Sequence, residues 1–183
     1  MGAGKVDLMD RGSLYRLALA RLGTAELVEG SPEWLALEEC SQQAVRVALD
    51  YSNWRFALRG PVEVPIVAGV GQLPADCLEL RSVRGADRWE VYGRKIVVQD
   101  DFVDSLQVVY KSNEVAEEMV LPGHEPLFCE ACVCLVAAAV AGRVAGDARL
   151  GAELEQLGMQ LLYRAKLKEA RSVASNDGIK RKI

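Results

Sequence analysis

Hydrophobic residues recur every three or four positions at both ends of the chain and alternate in the middle, which predicts helices flanking a sheet. Ser13 is predicted to cap a short helix that Gly23 ends. Ser31 is predicted to cap a longer helix, which has Pro32 in its first turn and reaches to about Leu58. Two further helices are predicted over residues 126–145 and 147–174. The apolar faces predicted for the second and the last helix are Leu37, Cys40, Ala44, Val47, Tyr51, Trp54 and Leu58, and Leu150, Leu154, Leu157 and Leu161.

Between the second and third helices the hydrophobic period falls to two, as in half-buried strands. Leu106, Val108 and Tyr110 alternate with Gln107 and Lys111, and a glycine at position 93 predicts a hairpin turn. The predicted strands are residues 62–68, 77–83, 88–93, 95–99 and 105–112. The fold class is therefore predicted to be α+β and mainly α, with an antiparallel helical bundle and a small inserted antiparallel β-sheet. The predicted divisions are a flexible N-terminus (1–12), the helical bundle (13–60 and 122–174), the inserted β subdomain (61–121) and a basic flexible C-terminal tail (175–183).

Charge is spread unevenly along the chain, although the net charge is only −4. Residues 61–120 carry 6 basic and 11 acidic side chains, whereas the last 21 residues carry 7 basic and 2 acidic ones. The mild net charge argues against a surface built wholly for nucleic acid. No uncharged run is longer than the 12 residues between Glu130 and Arg143, which are fewer than the about 20 that a membrane span needs. The first residues, MGAGKVDLMDRGS, have no apolar core and are not predicted to be a secretory signal, so the five cysteines are expected to be reduced thiols in a cytoplasm.

Three of these cysteines, Cys129, Cys132 and Cys134, fall on one predicted helix. Cys129 and Cys132 lie one turn apart, but Cys134 points about 140° away from Cys129, so the three cannot hold one ion together. A structural zinc site needs four ligands, and no second pair is evident. Core packing is the preferred interpretation and metal binding the alternative. The alanines and glycines beside the cysteines predict a face that a neighbouring helix can approach closely.

Candidate catalytic residues are few, because the chain has one histidine, His124, predicted to serve as a loop or capping residue. No nucleophile-elbow, phosphate-loop, dinucleotide or zinc-protease motif occurs in the sequence. Two acidic groups, Asp100-Asp101 with Asp104 and Glu117-Glu118, are interpreted as solvated turns, with a cation site as the weaker alternative. Trp34, Trp54 and Trp89 are assigned to core positions by their period. The prediction is a protein that is not an enzyme and that has no cofactor and no metal.

Several stretches, taken in order, resemble the head-to-tail adaptor proteins of short-tailed bacteriophages, the tail tubular protein A-like connector family. The resemblance runs from about Leu14 to Ser175 and implies a helical bundle with an inserted β region. It rests on residues 53–57 (NWRFA), 73–78 (LPADCL), 89–96 (WEVYGRKI), 126–128 (PLF) with the alanine-rich helix after them, and 165–170 (AKLKEA).

The resemblance implies a structural virion protein without catalytic residues, assembled as a ring of about twelve subunits beneath the portal. Its implied partners are the portal protein, the tail nozzle protein, further copies of itself and the genomic DNA that passes through the channel, with no membrane. The implied location is the neck of the virion, after assembly in the host cytoplasm. A head-completion or stopper protein of the neck is one alternative, and a thiol- or metal-dependent binding module is another.

The basic C-terminal end is the predicted portal-binding site. Its residues are Lys168, Arg171, Lys180, Arg181, Lys182 and Ile183. Contact with DNA is a competing interpretation, and a purely solubilising role is a third. The acidic middle segment has two interpretations, either the lining of a channel through which DNA slides or an ordinary solvated sheet edge.

Overall fold

Four helices and a six-stranded antiparallel sheet make up most of this α+β protein, with about 50% of residues in helices and 25% in strands. The computed structural model describes residues 8–24, 26–100 and 103–180, and its side chains as far as Arg171. Within that part of the chain the helices are α1 (Arg11–Arg21), α2 (Pro32–Asp50), α3 (Glu114–Glu118), α4 (Pro126–Val144) and α5 (Ala148–Lys180). The strands are β1 (Leu8–Met9), β2 (Leu58–Val67), β3 (Val70–Gln72), β4 (Cys77–Arg84), β5 (Trp89–Tyr92), β6 (Lys95–Val98), β7 (Ser105–Ser112) and β8 (Leu121–Pro122).

The chain divides into two units. One contains the residues up to Ser52 and those from Val115 onward, and we call it the helical unit; the other is Asn53–Glu114, the β unit. The β unit is thus inserted in sequence, but its limits differ from the expected 61–121. The insertion starts earlier because β2 already begins at Leu58, and it ends earlier because β8 pairs with β1 of the helical unit.

The β unit is one antiparallel sheet with the strand order β4-β7-β2-β3-β6-β5. Strand β2 joins its two halves, since Val64 pairs with Leu106 of β7 while Ile66 pairs with Gly71 of β3. A side chain at Gly71 would come within 2.6 Å of the Ile66 side chain, so only glycine permits this approach. The buried cluster of the unit comprises Val64, Leu73, Ile96, Val98, Leu106, Val108 and Tyr110. All five predicted strands are present, and β3 is an addition.

One side chain on the opposite face of β7 is buried, although it was predicted to be exposed. Lys111, expected to alternate outward, is 0% exposed, and its Nζ lies 3.4 Å from the Glu79 carboxylate of β4. A buried ammonium group needs such a carboxylate because its desolvation is otherwise costly.

In the helical unit, α4 packs against α1, α2 and α5. Most of α4 is buried, which follows from its run of alanine, valine and cysteine. Helix α5 approaches α4 closely because glycines face it: a side chain at Gly158 would come within 2.9 Å of Leu135, and one at Gly151 within 3.3 Å of Ala141. The close approach expected of the small-residue face of α4 is therefore present, with α5 as the neighbour.

The ends of α1 and α2 show which local signals were reliable. Ser31 caps α2 as predicted, since its hydroxyl accepts a hydrogen bond of 3.2 Å from the Trp34 N–H. Asp10, not Ser13, caps α1, and its carboxylate accepts a 2.7 Å bond from the Ser13 N–H. The predicted extension of α2 to Leu58 is wrong, because the helix ends at Asp50 and a 3-10 turn precedes β2. Ser52 and Asn53 follow, and both favour non-helical backbone.

Several side chains predicted to be buried are not. In α2 the buried face is centred on Leu37, Val45 and Leu49, and Val47 of the predicted face is 42% exposed. In α5, Leu157 is 37% exposed, whereas Leu154 and Leu161 are buried as predicted.

Both ends that were predicted to be flexible contain secondary structure. Residues 8–12, assigned to a flexible N-terminus, form β1 and begin α1, and Leu8 and Met9 pair with Pro122 and Leu121. The tail predicted over 175–183 continues α5 as far as Lys180. Residues 181–183 lie outside the described residues.

Candidate functional site

The cysteines of α4 lie inside the helical unit. Cys129 is 4% exposed, and Cys132 and Cys134 are 0% exposed. The Cys129 thiol donates a 3.2 Å hydrogen bond to the Pro122 carbonyl. Burial raises the pKa of the Cys132 thiol well above its ordinary value, and burial likewise raises the pKa of Cys134. The Cys132 and Cys134 thiols are therefore protonated at neutral pH, and all three buried cysteines have the environment of packing residues rather than of nucleophiles. No group of three or more histidine, cysteine, aspartate or glutamate side chains suited to a metal occurs within the described ranges.

The burial of the cysteines predicts two classes of thiol. A thiol reagent added to the folded protein should label Cys40 and Cys77, which are partly exposed, and label the three cysteines of α4 at least ~100-fold more slowly, since those need local opening. Burial and the nearby Asp76 raise the pKa of Cys77, which lowers the fraction of reactive thiolate at that residue near neutral pH. Mass spectrometry of peptides after timed labelling measures the rates, and denatured protein with five reactive thiols is the control. Fast labelling of Cys132 would contradict the packing interpretation.

The other polar residues noted in the sequence are not gathered into one site. His124 lies exposed in the turn before α4. Asp100 accepts hydrogen bonds from the Asp87 and Arg88 N–H groups at 2.7 and 3.0 Å, and these bonds lower the pKa of its carboxyl group. Asp101 lies outside the described residues. Glu117 and Glu118 are exposed at the end of α3, a short helix rather than the predicted turn.

The tryptophans have three different environments. Trp54 is 2% exposed, as predicted. Trp34 is half-buried, with its ring centroid 5.4 Å from that of Tyr15 in an edge-to-face arrangement. Trp89, predicted to be in the core, is 40% exposed on β5, which is an edge strand of the sheet. An edge strand lacks a neighbour on one side, so less of its surface is covered.

The predicted portal-binding residues lie at the far end of α5. Lys168 pairs with Glu125 at 3.5 Å, immediately before the first residue of α4. Arg171 is exposed. Since α4 and α5 run antiparallel, α5 continues beyond this pair for roughly 18 Å of helix up to Lys180. Arg181, Lys182 and Ile183 lie outside the described residues, so their predicted role stays a prediction.

A groove is the first surface feature that the sequence did not indicate. Small side chains of α4, Ala138, Ala139 and Gly142, form its floor, and α2 and α5 form its two walls. Its volume is about 710 Å³. We call it the α2–α4–α5 groove. Its acidic rim consists of Glu39 on α2, which pairs with Arg143 at 2.6 Å, and Glu155 on α5.

An exposed apolar stripe on α5 is the second such feature. Met159, Tyr163 and Leu167 are 37%, 54% and 40% exposed, and they follow one another at intervals of four residues on one side of the helix. We call these three residues the α5 stripe. Helices that bury one face on a core normally present polar residues on the opposite side, so a stripe of this kind is typical of a surface that contacts something else.

Helix α4 also passes a simple test for a membrane span. Its residues Pro126–Val144 are long and apolar enough to cross a bilayer by length and composition, but 61% of the most apolar window is buried inside the protein. A central helix of a protein core has the same properties.

The chain matches no protein-family model, and the search of curated proteins found no significant match.

Proposed function

We propose that this protein is a head-to-tail adaptor, a structural virion subunit that forms a ring beneath the portal of a short-tailed bacteriophage. The ring seals the packaged DNA, provides the platform for the tail nozzle and leaves a channel for DNA passage. We further propose that α1, α2, α4 and α5 form an antiparallel bundle into which the β unit is inserted. The order of sequence motifs quoted above supports this family, and no catalytic, cofactor or metal residue is assigned.

One observation carries the proposal furthest: α5 has 33 residues and α4 has 19, so α5 extends well beyond its partner helix. The last 21 residues of the sequence, which include this extension, carry 7 basic and 2 acidic residues, and Lys168 and Arg171 among them are exposed. A basic chain end of this kind is suited to docking on a larger acidic or mixed surface, and such a contact weakens as salt rises. The proposed partner of this extension is the portal ring.

The experiment compares portal binding by the wild type and a variant in which Lys180, Arg181 and Lys182 are changed to alanine. The variant should bind the portal from the same genome at least ~10-fold more weakly at low salt, with a smaller salt dependence. A matched control removes three exposed basic residues elsewhere, Arg46, Arg84 and Lys95. Native mass measurement should show about twelve copies per portal ring for the wild type.

Two outcomes would count against the proposal. If the C-terminal triple variant and the control triple variant bound the portal equally well, the C-terminal end would not be part of the portal contact. Failure of the wild type to bind the portal at low and at high salt would overturn the adaptor function. Binding to an assembled neck but not to the isolated portal would favour a stopper protein instead.

A further inference from the structure

We infer that the α2–α4–α5 groove of one copy receives the α5 stripe of a second copy, so that subunits associate head to tail. The inference rests on the proposed ring, since it names the contact between neighbouring subunits. It begins from the observation that one helix carries both surfaces: Gly151 and Glu155 of α5 line the groove, and Met159 to Leu167 form the stripe. Because α5 is a continuous helix, its stripe cannot fold back into its own groove.

The two surfaces match in shape. The groove is concave and its floor consists of alanine and glycine, which lets a helix backbone approach to the 8–10 Å typical of packed helices. The stripe is convex and carries large side chains. Residues 39–47 of α2, which form one wall, span about 12 Å along the helix, and Met159 to Leu167 also span about 12 Å. The groove is therefore long enough for the whole stripe.

The two surfaces also match in charge. The rim of the groove carries Glu155 and Glu39, of which Glu39 pairs with Arg143, and α2 as a whole has four acidic residues and one basic residue. Residues 159–171, which contain the stripe, have four basic residues and one acidic residue. Arg164 and Lys166 flank the stripe and would lie near the acidic rim of the neighbour. Opposite charges at the edge of an apolar contact favour association and select one orientation.

A second copy is the occupant that these observations favour. Both halves of the contact lie on the same chain, are exposed together and differ from each other, so the contact is heterologous. A heterologous contact uses one groove and one stripe per subunit and repeats until it closes into a ring or continues as a filament. A stripe-to-stripe contact would leave the groove empty and stop at a dimer.

The test uses two variants of the full chain. Ala139→Arg fills the exposed floor of the groove, and Tyr163→Glu places an acid in the stripe. Sedimentation velocity over rising concentration should show self-association of the wild type, weakened at least ~10-fold by either change. The matched controls are Ala20→Arg on α1 and Leu157→Glu, which lies roughly 120° around α5 from Tyr163. Both controls should associate as the wild type does.

A mixture of the two variants tests directly whether the groove of one copy binds the stripe of another. The Ala139→Arg copy keeps its stripe and the Tyr163→Glu copy keeps its groove, so a 1:1 mixture should form heterodimers and nothing larger. A mixture that stays monomeric while the wild type associates would overturn the inference. So would loss of association in Tyr163→Glu but not in Ala139→Arg, or a wild type that is monomeric at every soluble concentration.

A cross-link gives a second, independent measurement, because Cys40 lines the groove. Under mild oxidation, Gln160→Cys beside the stripe should give a ladder of disulfide-linked oligomers, and Leu157→Cys should not. Adding Cys40→Ser should remove the ladder. All of these measurements are made without the portal. Head-to-tail association without portal binding would support this contact and contradict the adaptor function. Portal binding by a chain that never self-associates would support the adaptor function and contradict this contact.

Discussion

Phe128→Ala is expected to lower the free energy of unfolding by about 3–5 kcal/mol, the usual cost of truncating a buried phenylalanine. Phe128 is 0% exposed near the start of α4, the helix that packs against α1, α2 and α5. Its removal leaves a cavity that the surrounding helices can fill only in part. Because whole domains are stable by about 5–15 kcal/mol, this loss is a large part of the total.

Chemical denaturation followed by far-ultraviolet circular dichroism measures the effect, because most of the helical signal comes from the helical unit. Leu35→Ala on α2 is the matched control, since Leu35 is 58% exposed and its truncation should cost no more than about 0.5 kcal/mol. Phe128→Leu should lower the free energy of unfolding by less than Phe128→Ala does. It is the variant to measure if Phe128→Ala does not fold. Equal stability of the Phe128→Ala and Leu35→Ala variants would show that α4 is not the centre of the core.

The elements that sequence patterns predicted well are those whose signals are local. The Ser31 cap with Pro32 after it, the apolar run of α4 and the alternating residues of β7 all involve neighbours within a few positions, and each is present in the structure. Strands β1 and β8 were missed because each has two residues and pairs with a segment more than a hundred positions away. Strand β3 was missed because its central Gly71 gives a weak strand signal, although the close approach of Ile66 requires glycine there.

The two candidate assembly surfaces differ in how far the sequence could reveal them. The small residues of α4 did predict close helix packing, but the groove exists because α2 and α5 lie along α4 at a separation that no local pattern encodes. The α5 stripe was hidden by a second apolar pattern on the same helix, the buried Leu154 and Leu161. With two apolar faces on one helix, only the packed structure shows which of them contacts the core.

The pH dependence of stability offers a test of the β unit. The Tyr110 hydroxyl donates to the Asp76 carboxylate at 3.1 Å, and Tyr110 is 5% exposed. Burial and, next, this carboxylate raise the pKa of Tyr110 from its ordinary 10 to about 12. The unfolded chain releases the proton of Tyr110 near pH 10, but the folded chain holds it up to about pH 12. Its contribution is therefore fully present below pH 10 and is lost as pH rises from about 10 to about 12.

The wild type should accordingly lose about 2–3 kcal/mol more than the Tyr110→Phe variant between pH 9 and pH 12, the free energy that corresponds to a pKa difference of this size. Denaturant unfolding at a series of pH values measures both proteins, and the comparison removes the titration of all shared groups. Tyr163→Phe, which removes an exposed hydroxyl, is the control and should follow the wild type. Asp76→Asn should narrow the pH range over which this stability is lost. The substitution removes the negative charge beside the Tyr110 hydroxyl, so that burial remains as the main cause of the raised pKa. Parallel curves for the wild type and Tyr110→Phe would mean that the hydroxyl is neither buried nor bonded to Asp76 in solution.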